Sequence, residues 1–140
     1  MLLFDVNVLI YALRKDSERH NEALSIVHGA IDSPEELAWH SLIGSAMVRI
    51  VTNPRIYAYP STHDECFTFV DTLLKASNIR RLDGGAGLWQ TFETIVRTYK
   101  ASGPAITDAY IAALAIANDA TLISADRGFS RMKELRFREF

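Results

Sequence analysis

Along the chain, apolar residues change their spacing at nearly every polar break, and these changes mark out short strands separated by helices. Leu2-Leu3-Phe4-Asp5-Val6 is too short and too continuously apolar for an amphipathic helix. It predicts a strand buried on both faces, the kind found in parallel sheets. Thr121-Leu122-Ile123-Ser124 predicts a second strand, and Leu37-Ala38-Trp39, Ile79-Arg80-Arg81-Leu82 and Arg136-Phe137-Arg138 are weaker candidates.

Between these segments the period is helical. Ser17 is placed to cap a helix carrying Ala23, Leu24, Val27 and Ile31, and Ser41 to start one carrying Leu42, Ile43, Ala46, Met47, Ile50 and Val51. After Pro60, Ser61-Thr62 with Asp64-Glu65 three residues on has the form of a capping box, ahead of Phe67, Val70, Leu73 and Leu74. Leu88, Trp89, Phe92, Ile95, Val96 and Tyr99 make a further stripe, and all these stripes read as core. From Thr107 to Ala117 the chain is apolar nearly all round and rich in alanine, which predicts a central helix packed closely on the sheet. Strands alternating with helices predict an α/β sandwich with a mainly parallel sheet and right-handed crossovers. Such folds place ligands at the carboxyl ends of their strands.

Composition adds limits. A chain of 140 residues, 49% hydrophobic, can close one core unaided, so one domain over residues 1–140 is expected. Cys66 stands alone and cannot form an intrachain disulfide, which suits a reducing, cytoplasmic setting. The opening Met1-Leu2-Leu3-Phe4-Asp5 has no basic leader or small-residue cleavage site, and no apolar run reaches membrane-spanning length; neither secretion nor a membrane is expected. The net charge of -2 does not advertise a nucleic-acid binder, but charge is unevenly placed. Arg127, Arg131, Lys133, Arg136 and Arg138 face only Glu134 and Glu139 near the end, and Arg14-Lys15 and Arg80-Arg81 form smaller pairs. The run reads equally as a salt-bridged, solvated face or as a rim that tracks phosphates.

Three carboxylates sit where this topology builds a crevice: Asp5 at the end of the first strand, Asp108 at the start of the buried helix, and Asp126 just after the Thr121–Ser124 strand. Each has an ordinary alternative, as a strand end or cap, a helix-dipole partner, and a polar loop residue respectively. Yet an ionised Asp5 amid Leu3, Phe4, Val6 and Val8 must be paired or ligated. If the three converge, pairs at ~5 Å repel by roughly 3 kcal/mol each at an effective dielectric near ~20. A divalent cation would offset that, and an all-oxygen site favours magnesium or manganese, which can activate water against a phosphodiester. Asn7, two residues after Asp5, shares its face in strand geometry and could orient it; Ser124, two before Asp126, could do the same, although local turn bonds compete for both.

Together these residues resemble PIN-domain ribonucleases, especially the VapC-type toxins of bacterial toxin–antitoxin pairs. Phe4-Asp5-Val6-Asn7-Val8-Leu9-Ile10-Tyr11-Ala12 is similar to the family's D-x-N start. Thr107-Asp108-Ala109-Tyr110-Ile111-Ala112-Ala113-Leu114-Ala115 is similar to its D-A-x-x-A-A-L-A helix, and Ser124-Ala125-Asp126-Arg127-Gly128-Phe129 to its T-x-D-x-x-F end. Three such motifs in order are a strong signal. Arg49-Ile50-Val51-Thr52-Asn53-Pro54-Arg55-Ile56-Tyr57 is similar to one subgroup. The resemblance implies a PIN-like three-layer sandwich and a magnesium-dependent endoribonuclease, with manganese a possible substitute. It implies a homodimer neutralised by a small antitoxin whose tail fills the active-site groove. Asp5 and Asp108 would be the metal ligands, Asp126 would complete the acidic cluster, water would be the nucleophile, and Arg49 and Arg127 are the candidate RNA contacts.

One departure is visible. Many members carry a glutamate on the third helix, but Ser41 to Thr52 holds no acid, and the matching position is Ala46. In the end motif Gly128 stands where a second acid is commoner. Three acids rather than four favour one strongly held ion over two. They also keep open an alternative, a PIN-fold module that binds RNA or a partner without turnover. A phosphoacceptor receiver domain would need an acid pair after the first strand and a lysine at a later strand end, and the chain has neither.

Overall fold

The computed structural model describes residues 1–140 throughout. Five parallel strands run in the order β3-β2-β1-β4-β5: β1 (Leu2–Phe4), β2 (Leu37–Trp39), β3 (Ile79–Arg81), β4 (Thr121–Ser124) and β5 (Phe137–Glu139). Six helices flank the sheet: α1 (Val6–Leu13), α2 (His20–Ile31), α3 (Ser41–Val51), α4 (His63–Leu74), α5 (Leu88–Tyr99) and α6 (Ala105–Ala117). Strand β1 is central and buried along its whole length, as its unbroken apolar run requires. Its neighbours are β2 and β4, so the order turns away from β1 in both directions and opens a crevice at its carboxyl end.

The largest difference from the sequence expectation lies at that end. The first strand stops at Phe4 rather than Val6, and the apolar run continues as α1. Asp5 takes extended backbone angles (φ -70°, ψ 161°), and its carboxylate accepts from the Val6 N–H, which caps the helix. Buried Val6, Val8, Leu9, Ile10 and Ala12 leave α1 hardly any polar face, so no helical period is visible in it. Smaller shifts follow: α2 begins at His20, with Ser17 accepting from the Arg19 N–H, and β5 is displaced by one residue. The capping box is formed between Thr62 and Glu65.

Helix α6 is the most deeply embedded: Ala109 and every residue from Ile111 to Ala115 are solvent-inaccessible. The small side chains let it lie close to α5 and β4 while its first turn reaches the crevice. Arg14, at the end of α1, is buried but satisfied by Asp16, the Tyr59 carbonyl at 2.8 Å and the Tyr57 ring, and ties α1 to the segment before α4. Cys66 is fully buried and unpaired. No helix is long and apolar enough to cross a membrane.

Candidate active site

The register of β1 and β4 builds the floor of the site. Phe4 lies opposite Ile123, so the residues that follow them, Asp5 and Ser124, meet at the strand ends. Ser124 Oγ donates to Asp5 Oδ2 at 2.6 Å and accepts from Asn7 Nδ2 and the Asp126 N–H, both at 2.9 Å. Its single proton and both lone pairs are thereby used. Asn7 Nδ2 also donates to Asp5 Oδ2 at 2.7 Å, while Asn7 Oδ1 accepts from the Ala125 N–H. Asn7 thus reaches Asp5 from the first turn of α1 and not along a strand. With Val6 on Oδ1 at 2.7 Å, Asp5 keeps about one acceptor position free, on Oδ1.

Asp5 is only 5% exposed. Burial pushes its carboxyl up to about 6 against the pull of its Ser124 and Val6 donors, and the nearby Asp108 and Asp126 push the same way. Asp108, half-buried in the first turn of α6, is raised by burial and by Asp126, while Arg131 pulls it down; no protein donor reaches its oxygens. Asp126 is exposed, and its Oδ1 accepts from the Gly128 N–H at 2.7 Å to start the 3-10 turn Arg127–Arg131. A Cβ at Gly128 would sit 3.0 Å from that oxygen, so the glycine lets the turn close around Asp126.

All three aspartates line one cleft of about 270 Å³, together with Asn7, Arg49 and Thr107. Ala46, the position without the third-helix acid, faces the same cleft, so a methyl group stands on that wall. Arg49 is exposed at its edge. Arg127 is elsewhere: it points away to Glu139 at 2.6 Å and lines no part of the cleft. The parallel register of Ser124 with Glu139 sets this pairing, so Arg127, the expected RNA contact, stands outside the cleft. Arg131, read from the sequence only as one member of the basic run, lines a side recess with Asp108 and Asp126.

These donors suit a hard cation. Asp108 offers two free oxygens, Asp126 one, and Asp5 one position, all of them oxygen. No three acidic, histidine or cysteine side chains close into a ready-made cage. The set therefore fits an ion that retains water and completes its shell with substrate oxygens, as magnesium does.

An open cleft of acids at the carboxyl edge of a parallel sheet, with a cation at its rim, defines the class: a metal-dependent enzyme of phosphate ester chemistry. The PIN-domain family profile matches residues 2–135. Ribonuclease VapC43 of Mycobacterium tuberculosis is 37% identical over 99% of this chain and 94% of its own length, and ribonuclease VapC31 of the same organism is 28% identical over 97% and 96%. Among solved structures, M. tuberculosis VapC20, described as a sarcin-ricin loop cleaving toxin, superposes with a TM-score of 0.70 at 16% identity, covering 99% of both chains. VapBC2 from Rickettsia felis, solved with a fragment of promoter DNA, gives 0.68 at 18% identity over 99% of this chain and 97% of that one. The chain belongs to the PIN-domain family, in its VapC ribonuclease branch.

Proposed function

We propose that this chain is a magnesium-dependent endoribonuclease that hydrolyses RNA phosphodiesters at the Asp5–Asp108–Asp126 cleft, as the toxin of a toxin–antitoxin pair. One observation carries the reading: three carboxylates from the two ends of the sequence line a single cleft, with the pKa values of two of them raised. Asp108 and Asp5 would hold the ion, with manganese able to substitute, and Asp126 would share it from the open side. A divalent ion there supplies charge neutralisation and water activation for in-line attack on phosphorus. Ser124 and Asn7 fix Asp5 in one orientation, and Arg49 meets a phosphate at the cleft edge. The 140 residues would act as one domain, as a homodimer, held inactive by a small antitoxin; the VapBC neighbours support such a partner.

The test is cleavage of structured RNA by the purified chain. Turnover is expected with magnesium and is expected to vanish in EDTA and in Asp108→Asn; equal cleavage by that variant would reject the assignment. A small open reading frame found beside the gene should, on coexpression, yield a copurifying complex. One observation favours a second reading, binding without turnover: Ala46 leaves a wall of the cleft without an acid. RNA binding that is retained while magnesium and manganese leave thermal stability unchanged would favour it.

A further inference from the structure

Most arginines of this chain are already committed to a carboxylate within the molecule. Arg14, Arg19, Arg80, Arg97, Arg127 and Arg136 each pair with an acid within 4.0 Å. Of the unpaired ones, Arg49 lines the acidic cleft and Arg131 lines a recess that adjoins it. Arg49 enters from α3 on the wall shared with Asp5 and Asp108. Arg131 enters from the end of the 3-10 turn, in a recess that shares both Asp108 and Asp126 with the main cleft. Its guanidinium lies 6.0 Å from the Tyr99 ring centroid, and it is exposed. It stays off the acids although Asp108 is close enough to feel it, so its donors remain available.

Resting on the nuclease reading, we propose that Arg131 is a phosphate-binding residue and that, with Arg49, it sets the path of the RNA. The strand crosses the cleft from α3 to the 3-10 turn, with its scissile phosphate over Asp108 and Asp126 and its flanking phosphates on the two arginines. Continuity of the recess with the cleft at two shared aspartates makes this path unbroken. Three acids would otherwise repel a polyanion, and a cation at each end of the track offsets that repulsion where the backbone enters and leaves. Arg127 shares their sign but has no such role, because it lines neither the cleft nor the recess.

Salt dependence of binding tests the path. A fluorescein-labelled, mixed-sequence single-stranded RNA is titrated in EDTA, where turnover is off, over a series of salt concentrations. Removing one cation that neutralises a phosphate of a single strand reduces the steepness of log K against log salt by about 0.7. Arg131→Ala is expected to lose about that much, Arg49→Ala the same, the double variant about 1.4. Arg131→Lys should retain the wild-type slope, and Arg127→Ala should not differ from wild type. A wild-type slope in Arg131→Ala with an unchanged unfolding midpoint overturns the proposal, as does an equal loss in Arg127→Ala. Undiminished cleavage by Asp108→Asn would remove the nuclease reading itself, by a route independent of the slopes.

Discussion

Asp5 and Asp108 line the same cleft, yet the chain treats them in opposite ways. Asp5 is held by three donors from α1 and β4, buried, and spoken for in nearly every acceptor position. Asp108 projects from the first turn of a rigid helix with no donor on its oxygens. One carboxylate is part of the fold's own hydrogen bonding; the other is positioned by the backbone alone and left open. A site so divided is preorganised on one side and completed by its ligand on the other, which suits an ion that must be loaded and then shared with a passing substrate.

Paired variants separate the two roles most widely. If both hold the ion as proposed, Asp5→Ala and Asp108→Ala should each lower RNA cleavage by about a thousandfold, because losing one of them removes several kcal/mol of charge stabilisation. Their stabilities should diverge. Asp5→Ala orphans donors on Val6, Asn7 and Ser124, each worth about 1–3 kcal/mol when buried, and should lower the melting temperature well below wild type. Asp108→Ala removes an unpartnered, repelled charge and should leave it equal or higher. Thermal melts in EDTA decide; equal losses would erase the distinction.

Next in size is the pH dependence. The Asp5 carboxyl stands at about 6 against an ordinary 3.8, so the folded state binds the proton more tightly than the unfolded one. Folding stability without metal should therefore fall as pH rises from about 4 through 6, by up to roughly 3 kcal/mol once ionisation is complete. Saturating magnesium should remove the fall, since the ion favours ionised Asp5. Urea melts across that range measure both, and a flat profile without metal would mean that Asp5 is not strained by its surroundings.

Ser124→Ala sits below these. It deletes the hydroxyl that joins Asp5 to Asn7 and Asp126, and, with Asp5 a ligand as proposed, a residue one step behind it is typically worth about 10- to 100-fold in metal affinity. Manganese titration reads the change, and an affinity within a factor of about two of wild type would show that Asn7 and Val6 suffice.

How far this division could be read from the chain depends on where each signal lies. Strands β1 and β4 and helix α6 were legible because their burial leaves unbroken apolar runs, and the acids because they interrupt or follow those runs at strand and helix ends. Helix α1 was not, since an apolar helix of eight residues and a buried strand share one pattern. The reach of Asn7 to Asp5 was anticipated, but by the wrong geometry: a helical first turn replaced an extended strand. The engagement of Arg127 was illegible for a different reason. It is made by β5 pairing in register with β4, which brings Glu139 to Arg127, and no local pattern encodes a contact across that pairing.

The smallest effect discriminates most finely between the two carboxylates. Ala46→Glu would place a fourth carboxylate on the part of the cleft lined by α3. Without metal the added charge should lower the melting temperature modestly, because charges ~10 Å apart at an effective dielectric of ~20 repel by under about 2 kcal/mol before solvent screening. With metal the outcome depends on where the ion sits. If it lies between Asp5 and Asp108, the new oxygen is within reach and manganese affinity should rise by about tenfold, roughly 1.4 kcal/mol of the several that a full ligand can give. An ion held on the Asp108–Asp126 side would ignore the change, and the variant would be destabilised with no gain in affinity. Calorimetric titration of Ala46→Glu beside wild type separates these cases, and the second would show that the preorganised Asp5 serves the fold first and the ion only from a distance.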